Sequence, residues 1–401
     1  MTESRTYITY EDFGAVGDGI TDDIASIASA HAYANEHSLP VKVKADACYY
    51  IGGKAIPVRI KTDTDFTTAK FIIDDRALEN NKLDVFIISS DLGHFEPDIK
   101  SLKRGQKKID FPHEGKVYVR VNAPDEKRVY IRKGHNASGG SPASDVFIVD
   151  GDGNILSPIN WSYDKIASVT AFSVDDNPIT VKGGIFTTIA NQAPSTYNYH
   201  HRGIAIKRSH VTVENVAHYV EGELDHGAPY NAFIHISSCY DITIKNCLLT
   251  PHKTYYNSAA APGVMDGMGS YDLVLTHAID VKLIGIKQTI DIANVNYWGI
   301  MGSNFCKCMT LSDCKISRFD AHCGVAGLTV KNCEFGYAGF SLIGFGDCII
   351  ENSSVRANFF ITLRPDYGSF FDGKVIAKNC TWYPRVAHTS TMIKALNSGV
   401  V

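Results

Sequence analysis

No stretch of the 401-residue sequence has the roughly 20 consecutive apolar residues that a membrane-spanning helix requires. The opening MTESRTYITYEDFG also lacks the charged-then-apolar layout of a secretory signal. Localisation therefore stays open between cytoplasmic, virion-associated and secreted with the signal lying outside this sequence. Excess positive charge is missing too. Lysine plus arginine number 39 against 43 acidic residues, a net charge of −4, so no nucleic-acid partner is expected from bulk charge. Cysteine is sparse, 10 in all, far below a disulfide scaffold. Neither Cys-x-x-Cys pairs nor His-Glu-x-x-His occur, so no metal and no cofactor is implied. The glycine-rich GAVGDGITDD has no phosphate-loop lysine and opens no strand–helix–strand series, which excludes a nucleotide cradle. With 44% apolar and 20% charged residues, the chain can bury a core.

What is present is a repeat. A hexapeptide recurs as ITVKGG from Ile179, VTVENV from Val211, ITIKNC from Ile242 and VKLIGI from Val281. It continues as MTLSDC from Met309, LTVKNC from Leu328, CIIENS from Cys348 and VIAKNC from Val375. Apolar residues at the first and third positions have a period of two, the mark of a strand with one buried face. The fifth position is usually Asn, Asp or Gly, residues that turn the chain. The sixth (Val216, Cys247, Ile286, Cys314, Cys333, Ser353, Cys380) points back inward. The shortest step, 19 residues from Met309 to Leu328, cannot hold a strand–helix–strand crossover but suffices for a coil of short strands and turns. The repeat predicts an all-β chain, a right-handed parallel β-helix solenoid whose equivalent positions stack about 4.8 Å apart. On this reading the cysteines are small apolar core residues. Cys314 and Cys333, on consecutive coils, are the one pair near bridging distance.

The first half is organised differently. Gly14, Gly17 and Gly19 form a loop, and Thr21 or Asp22 is expected to cap a helix running to about Asn35 that covers the solenoid end. The stretch YEDFGAVGDGITDDIASIASAHAYAN, from Tyr10 to Asn35, resembles the N-terminal signature of the pectate lyase superfamily, which includes pectin-degrading enzymes and phage tailspike proteins. The resemblance covers roughly the first 50 residues. It implies a parallel β-helix acting on polysaccharide and leaves the reaction open, because the scaffold hosts several chemistries. Between about Arg76 and Ser173, the segments VFIIS, KVYVRVN, RVYIRKG and DVFIVDGDGNI read as antiparallel strands. The expected organisation is thus a cap with first coils (1–75), a β-rich insert (76–173) and the β-helix proper (174–401). Asp150–Asn154 reads as a hairpin turn, since the sixth and twelfth places of a calcium loop are Ile155 and Trp161.

Chemistry on a solenoid must project outward from neighbouring coils. In SRFDAHCG, placing Phe319, Ala321 and Cys323 inward turns Arg318, Asp320 and His322 outward. Two coils later Thr362 and Arg364 face out, followed by Asp366 and Tyr367, with Gly339 and Ser341 as a small-residue floor between. A second candidate is the acidic loop with Glu221, Glu223, Asp225 and His226, where crowded carboxylates would raise a pKa and supply a general acid. A third is the loop with Asp291, Asn294, Asn296, Tyr297 and Trp298, which mixes amides with rings suited to sugars. The remaining histidines, including His235, His252 and His277, are scattered; His200-His201-Arg202 is placed near the groove edge. The Asn-Thr-Asp and Gly-His-Gly motifs of the polygalacturonase branch are absent, so that mechanism does not carry over.

Three functions are compatible. The first is a glycoside hydrolase with catalytic carboxylates among Asp320, Asp366, Asp291, Glu223 and Asp225. His322 would then assist, and Arg364, Tyr367, Trp298, Asn294, Asn296, His226 and Arg318 would bind substrate. The second is a lyase on an acidic glycan, with His322 or Tyr367 as base and Arg364 neutralising the uronate. The third is a non-enzymatic glycan-binding spike. The expected partner in each is a polysaccharide or oligosaccharide, and the expected assembly is a monomer or a homotrimer.

Overall fold

The computed structural model describes residues 6–134, 137–386 and 389–396. Its main body is a right-handed parallel β-helix of three strand columns. The hexapeptides form the first column in the register their sequence predicts. Ile179 pairs with Val211, Val211 with Ile242, Ile242 with Val281 and Val281 with Met309. Met309 then pairs with Leu328, Leu328 with Cys348 and Cys348 with Val375. The turn ladder follows from its residue types. Asn215, Asn246, Asp313, Asn332, Asn352 and Asn379 all take left-handed backbone, with φ from 49° to 57°, the conformation that Asn and Asp tolerate best. The chain then re-enters the core at the sixth position, where Val216, Cys247, Ile286, Cys314 and Cys333 are buried. All ten cysteines are free thiols; Cys314 and Cys333 touch through a backbone N–H of Cys314 on Cys333 Sγ at 3.3 Å.

Inward residues stack along the axis into one core. Its N-terminal end is an aromatic column in which Phe71 lies flat between Phe186 (4.7 Å) and Tyr49 (5.3 Å). Each such ring contributes about 1.5–3 kcal/mol by leaving water. The helix Ile24–Glu36 closes this end with Ile24, Ile27, Ala30 and Ala34. Its N-cap is Asp23, one residue beyond the expected Asp22, because Thr21 and Asp22 belong to the strand Asp18–Asp22. Asp23 accepts instead from the N–H groups of Val16 (2.7 Å) and Gly17 (3.0 Å), tying the glycine loop to the helix.

Within the expected insert, Phe86–Ile88 is a solenoid strand, pairing in parallel with Val58–Ile60 and Ile204–Ile206. VFIIS is therefore not part of an antiparallel sheet; an apolar run buried on both sides reads alike in either setting. The chain leaves the solenoid after it. His94–Phe95, Ser168–Ser173, Val117–Asn122 and Ser144–Val149 form an antiparallel sheet with its own core. The sheet docks on the solenoid strand Met301–Ser312 through a buried ion pair between Lys307 and Asp145. The Tyr118 hydroxyl adds a bond to His277 O at 2.6 Å. Asp150 accepts from the N–H groups of Asp152 and Asn154, the hairpin turn that was expected.

Candidate functional site

The third strand column carries the site. Along its outer face Val274 pairs with Gly302, Gly302 with Asp320, Asp320 with Ser341 and Ser341 with Thr362. These residues line a groove of about 520 Å³ whose floor is kept open by Gly302 and Ser341. Arg318, Asp320, His322 and Arg364, the residues the alternation turns outward, line it together with Asp366 and with Trp298 of the third candidate loop. Cys323 was expected inward but lines the groove beside His322. The cause is a bulge: Gly302 pairs with Asp320 yet Asn304 pairs with Cys323, which inserts a residue and breaks the period.

The two groove carboxylates are held by arginine. Arg364 donates from Nη1 to Asp320 at 2.5 Å and from Nη2 to Asp366 at 2.8 Å. Asp320 is 1% exposed and also accepts from the Tyr271 hydroxyl at 2.8 Å. Burial alone would raise its pKa, but Arg364 and Arg318 outweigh that and hold it well below the usual carboxylate range. Asp366 is likewise lowered: its own burial is outweighed by Arg364 and by Arg132, whose Nε lies 3.0 Å away. Neither is a proton donor near neutral pH. His322 is the opposite case. Burial pulls it down to about 4, so the ring is neutral. Its Nδ1 faces Asn304 Oδ1 at 3.0 Å, which assigns the proton to Nδ1. That leaves the Nε2 lone pair toward the Tyr367 hydroxyl, 3.3 Å away. Tyr367 itself is buried behind the groove wall.

Arg318 lies over the Trp298 ring at 4.7 Å and donates to Trp298 O at 3.1 Å, while its Nε has no partner. Trp298 is thus both groove wall and arginine platform. Several lining residues escaped sequence reasoning: Arg132, Tyr197, Tyr199, Tyr271 and Asn304. Arg132 comes from the insert, whose docking no local pattern announces. Asn304 stands on the same column one coil earlier, paired with Cys323, so the bulge that put Cys323 out of phase hid Asn304 as well.

The other candidates lie elsewhere. Asp225, Asn294, Asn296 and Tyr297 meet in a separate depression with Lys253 and Tyr256. Glu223 sits behind it, buried and bonded to His252 Nδ1 (3.1 Å) and the Tyr255 hydroxyl (2.9 Å). The expected raised carboxyl does not occur there. Burial would lift Glu223, but His252 and Tyr255 outweigh it and the pKa is lowered; Asp225 is lowered by its bond to His226. Asp291 and His226 line neither cavity; Asp291 accepts from Ala293 N as a loop turn, and His226 bonds Asp225. Arg202 is not at the groove edge but buried on Asp75 at 2.9 Å. Of the histidines that looked scattered, His235 converges with His201 and Asp84, the one cluster with metal-ligating character among the described residues.

A parallel β-helix with an outward groove roofed by an insert is the class of structure these residues define. No protein-family model and no curated protein matches the sequence. Among solved structures, the chain is similar to the tailspike gp61 of Pseudomonas phage phi297, with a TM-score of 0.54 at 10% identity over 99% of this chain and 78% of that one. The tailspike gp49 of Pseudomonas phage LKA1 follows at a TM-score of 0.46 and 12% identity, over 98% of this chain and 82% of that one. At such identity the likeness to gp61 speaks for the fold alone, which is the fold implied by the N-terminal resemblance. No helix among the described residues is long and apolar enough to cross a membrane.

Proposed function

We propose that the groove binds an acidic polysaccharide or oligosaccharide and cleaves it by β-elimination. One observation carries this reading: the two carboxylates lining the groove share Arg364, which holds both ionised, while the groove's imidazole is neutral. A hydrolase of the usual kind needs one carboxyl kept protonated as general acid. Elimination needs a neutral base and a cation beside the uronate carboxylate, both of which this groove can supply.

In this mechanism the His322 ring, which lines the groove, turns its Nε2 from Tyr367 toward the substrate and takes the proton next to the uronate carboxylate. Charge developing on that carboxylate is stabilised by a guanidinium. Arg318, which lines the groove with its Nη2 at 3.9 Å from Asp320, is the better candidate than Arg364, whose fork is spent on Asp320 and Asp366. The C–O bond on the adjacent carbon breaks as the double bond forms, and the leaving oxygen takes a proton from solvent. Arg364, Asp320 and Asp366 are positioning residues. Tyr197, Tyr199, Tyr271 and Trp298 offer ring faces and polar edges to the sugars. The test is incubation with a panel of acidic and neutral glycans, products being read by mass spectrometry. Unsaturated fragments from an acidic glycan are expected. Fragments enlarged by water would restore the hydrolase reading, and binding without cleavage would make the groove a recognition surface.

A further inference from the structure

Three side chains that no local motif links meet on the same outer face, just N-terminal to the groove. Asp84 precedes the strand Phe86–Ile88, His201 is the second residue of the strand His200–Ile206, and His235 lies in Tyr230–Ser237. These are successive coils: Ile87 pairs with Ala205, and Ala205 with His235. One ligand atom from each side chain lies within 4.8 Å of the other two. From this juxtaposition we propose that Asp84, His201 and His235 form a binding site for a divalent first-row transition-metal ion.

The partners of these groups argue for a missing ligand. Asp84 is 5% exposed, yet its Oδ1 has no hydrogen-bond partner, and His235 Nδ1 is buried without one as well. Buried polar atoms are seldom left so, because each costs about 1–3 kcal/mol. Among the described residues no cation stands within ion-pair distance of Asp84. Lys207 is the cation whose charge Asp84 feels most, Arg202 is committed to Asp75, and the Lys82 ammonium is bonded to Tyr199 O. Two imidazole nitrogens and one carboxylate oxygen are a donor set for zinc, iron, cobalt or nickel, and a poor one for calcium or magnesium. Bonds of about 2.0–2.1 Å require the three atoms to close further around the ion, which rotation of the half-buried His201 and His235 rings allows. Three protein ligands leave one coordination position open. His235 pairs with Val274 of the groove wall, so the ion would stand one strand spacing from the groove's end. This inference is independent of the glycan reading.

The test is calorimetric titration of chelator-stripped protein with Zn²⁺, repeated with Ca²⁺, alongside the visible spectrum after Co²⁺ loading. Wild type should take up one equivalent of Zn²⁺, ignore Ca²⁺ and give a cobalt spectrum with nitrogen ligation. His201→Gln, at a half-buried position that can change without unfolding a coil, should weaken Zn²⁺ about 100-fold, as should Asp84→Asn. His210→Gln, at a histidine bonded to Asp241, should leave binding unchanged. No saturable Zn²⁺ uptake by wild type, equal affinity in a folded His201→Gln protein, or equal uptake of Ca²⁺ would each overturn the proposal.

Discussion

Lys307→Met should loosen the insert from the solenoid, and the size of the effect can be worked from the burial of the pair. Lys307 and Asp145 are 2% and 0% exposed at the side chain, and Lys307 also donates to Pro158 O. Methionine matches the lysine stem in volume but leaves the Asp145 charge without a cation. The N–H groups of Asn160 (2.8 Å), Val146 (3.0 Å) and Trp161 (3.3 Å) remain as its donors. Stranding one member of a buried pair costs about 3–5 kcal/mol. With an unfolding entropy of roughly 2.1 cal/mol/K per residue over a chain of this length, a loss near 4 kcal/mol lowers Tm by about 5 °C. Calorimetry reads that shift, and hydrogen exchange should show Val117–Asn122 and Ser144–Val149 opening first. Adding Asp145→Asn removes the stranded charge and should recover more than half of the loss. A shift below about 1 °C, or no recovery in the double variant, would refute the claim that this pair docks the insert. Function should follow stability here, because the insert delivers Arg132 to Asp366.

Four further outcomes are expected. His322→Gln should lower turnover by about 10²–10⁴ with little change in glycan binding. Because burial holds His322 near 4, wild-type activity should persist below pH 6 and fall only as pH drops through about 4; a limb near 6.5 would show an unshifted base. His252 is pulled down by burial but raised overall to about 9 by Asp272 and Glu223. Its contribution to stability is therefore complete below pH 6.5 and lost as pH rises through about 9, so the denaturation midpoint should decline over that window in wild type and flatten in His252→Gln. Gly203→Ala would place a Cβ 1.9 Å from Phe233 O, and at least about 1–3 kcal/mol of destabilisation should appear in thermal melts.

Much of this molecule was legible because a solenoid writes its three-dimensional register into one dimension. The Ile179 to Val375 ladder and its Asn turns are readable because each coil repeats the same environment. Asp320, His322 and Arg364 could be placed on one face by counting alternate residues and coils. Counting failed at Cys323, where a bulge shifted the phase. It also failed for the protonation of Glu223, since His252 and Tyr255 arrive from a coil the local charge pattern does not show. The insert hid Arg132 because docking between two folded units leaves no period in the sequence. Asp84, His201 and His235 remained apart for the same reason, being separated by whole coils and joined only by register.

The most direct test of the elimination account is digestion of a cleaved acidic glycan in heavy-oxygen water, with the isotope content of the new ends read by mass spectrometry. The account predicts unsaturated ends carrying no label, and the same ends lost in His322→Gln. Label at the new reducing end would contradict it, because water would then be the nucleophile and the arginine-bound carboxylates would need a role that their protonation state does not permit.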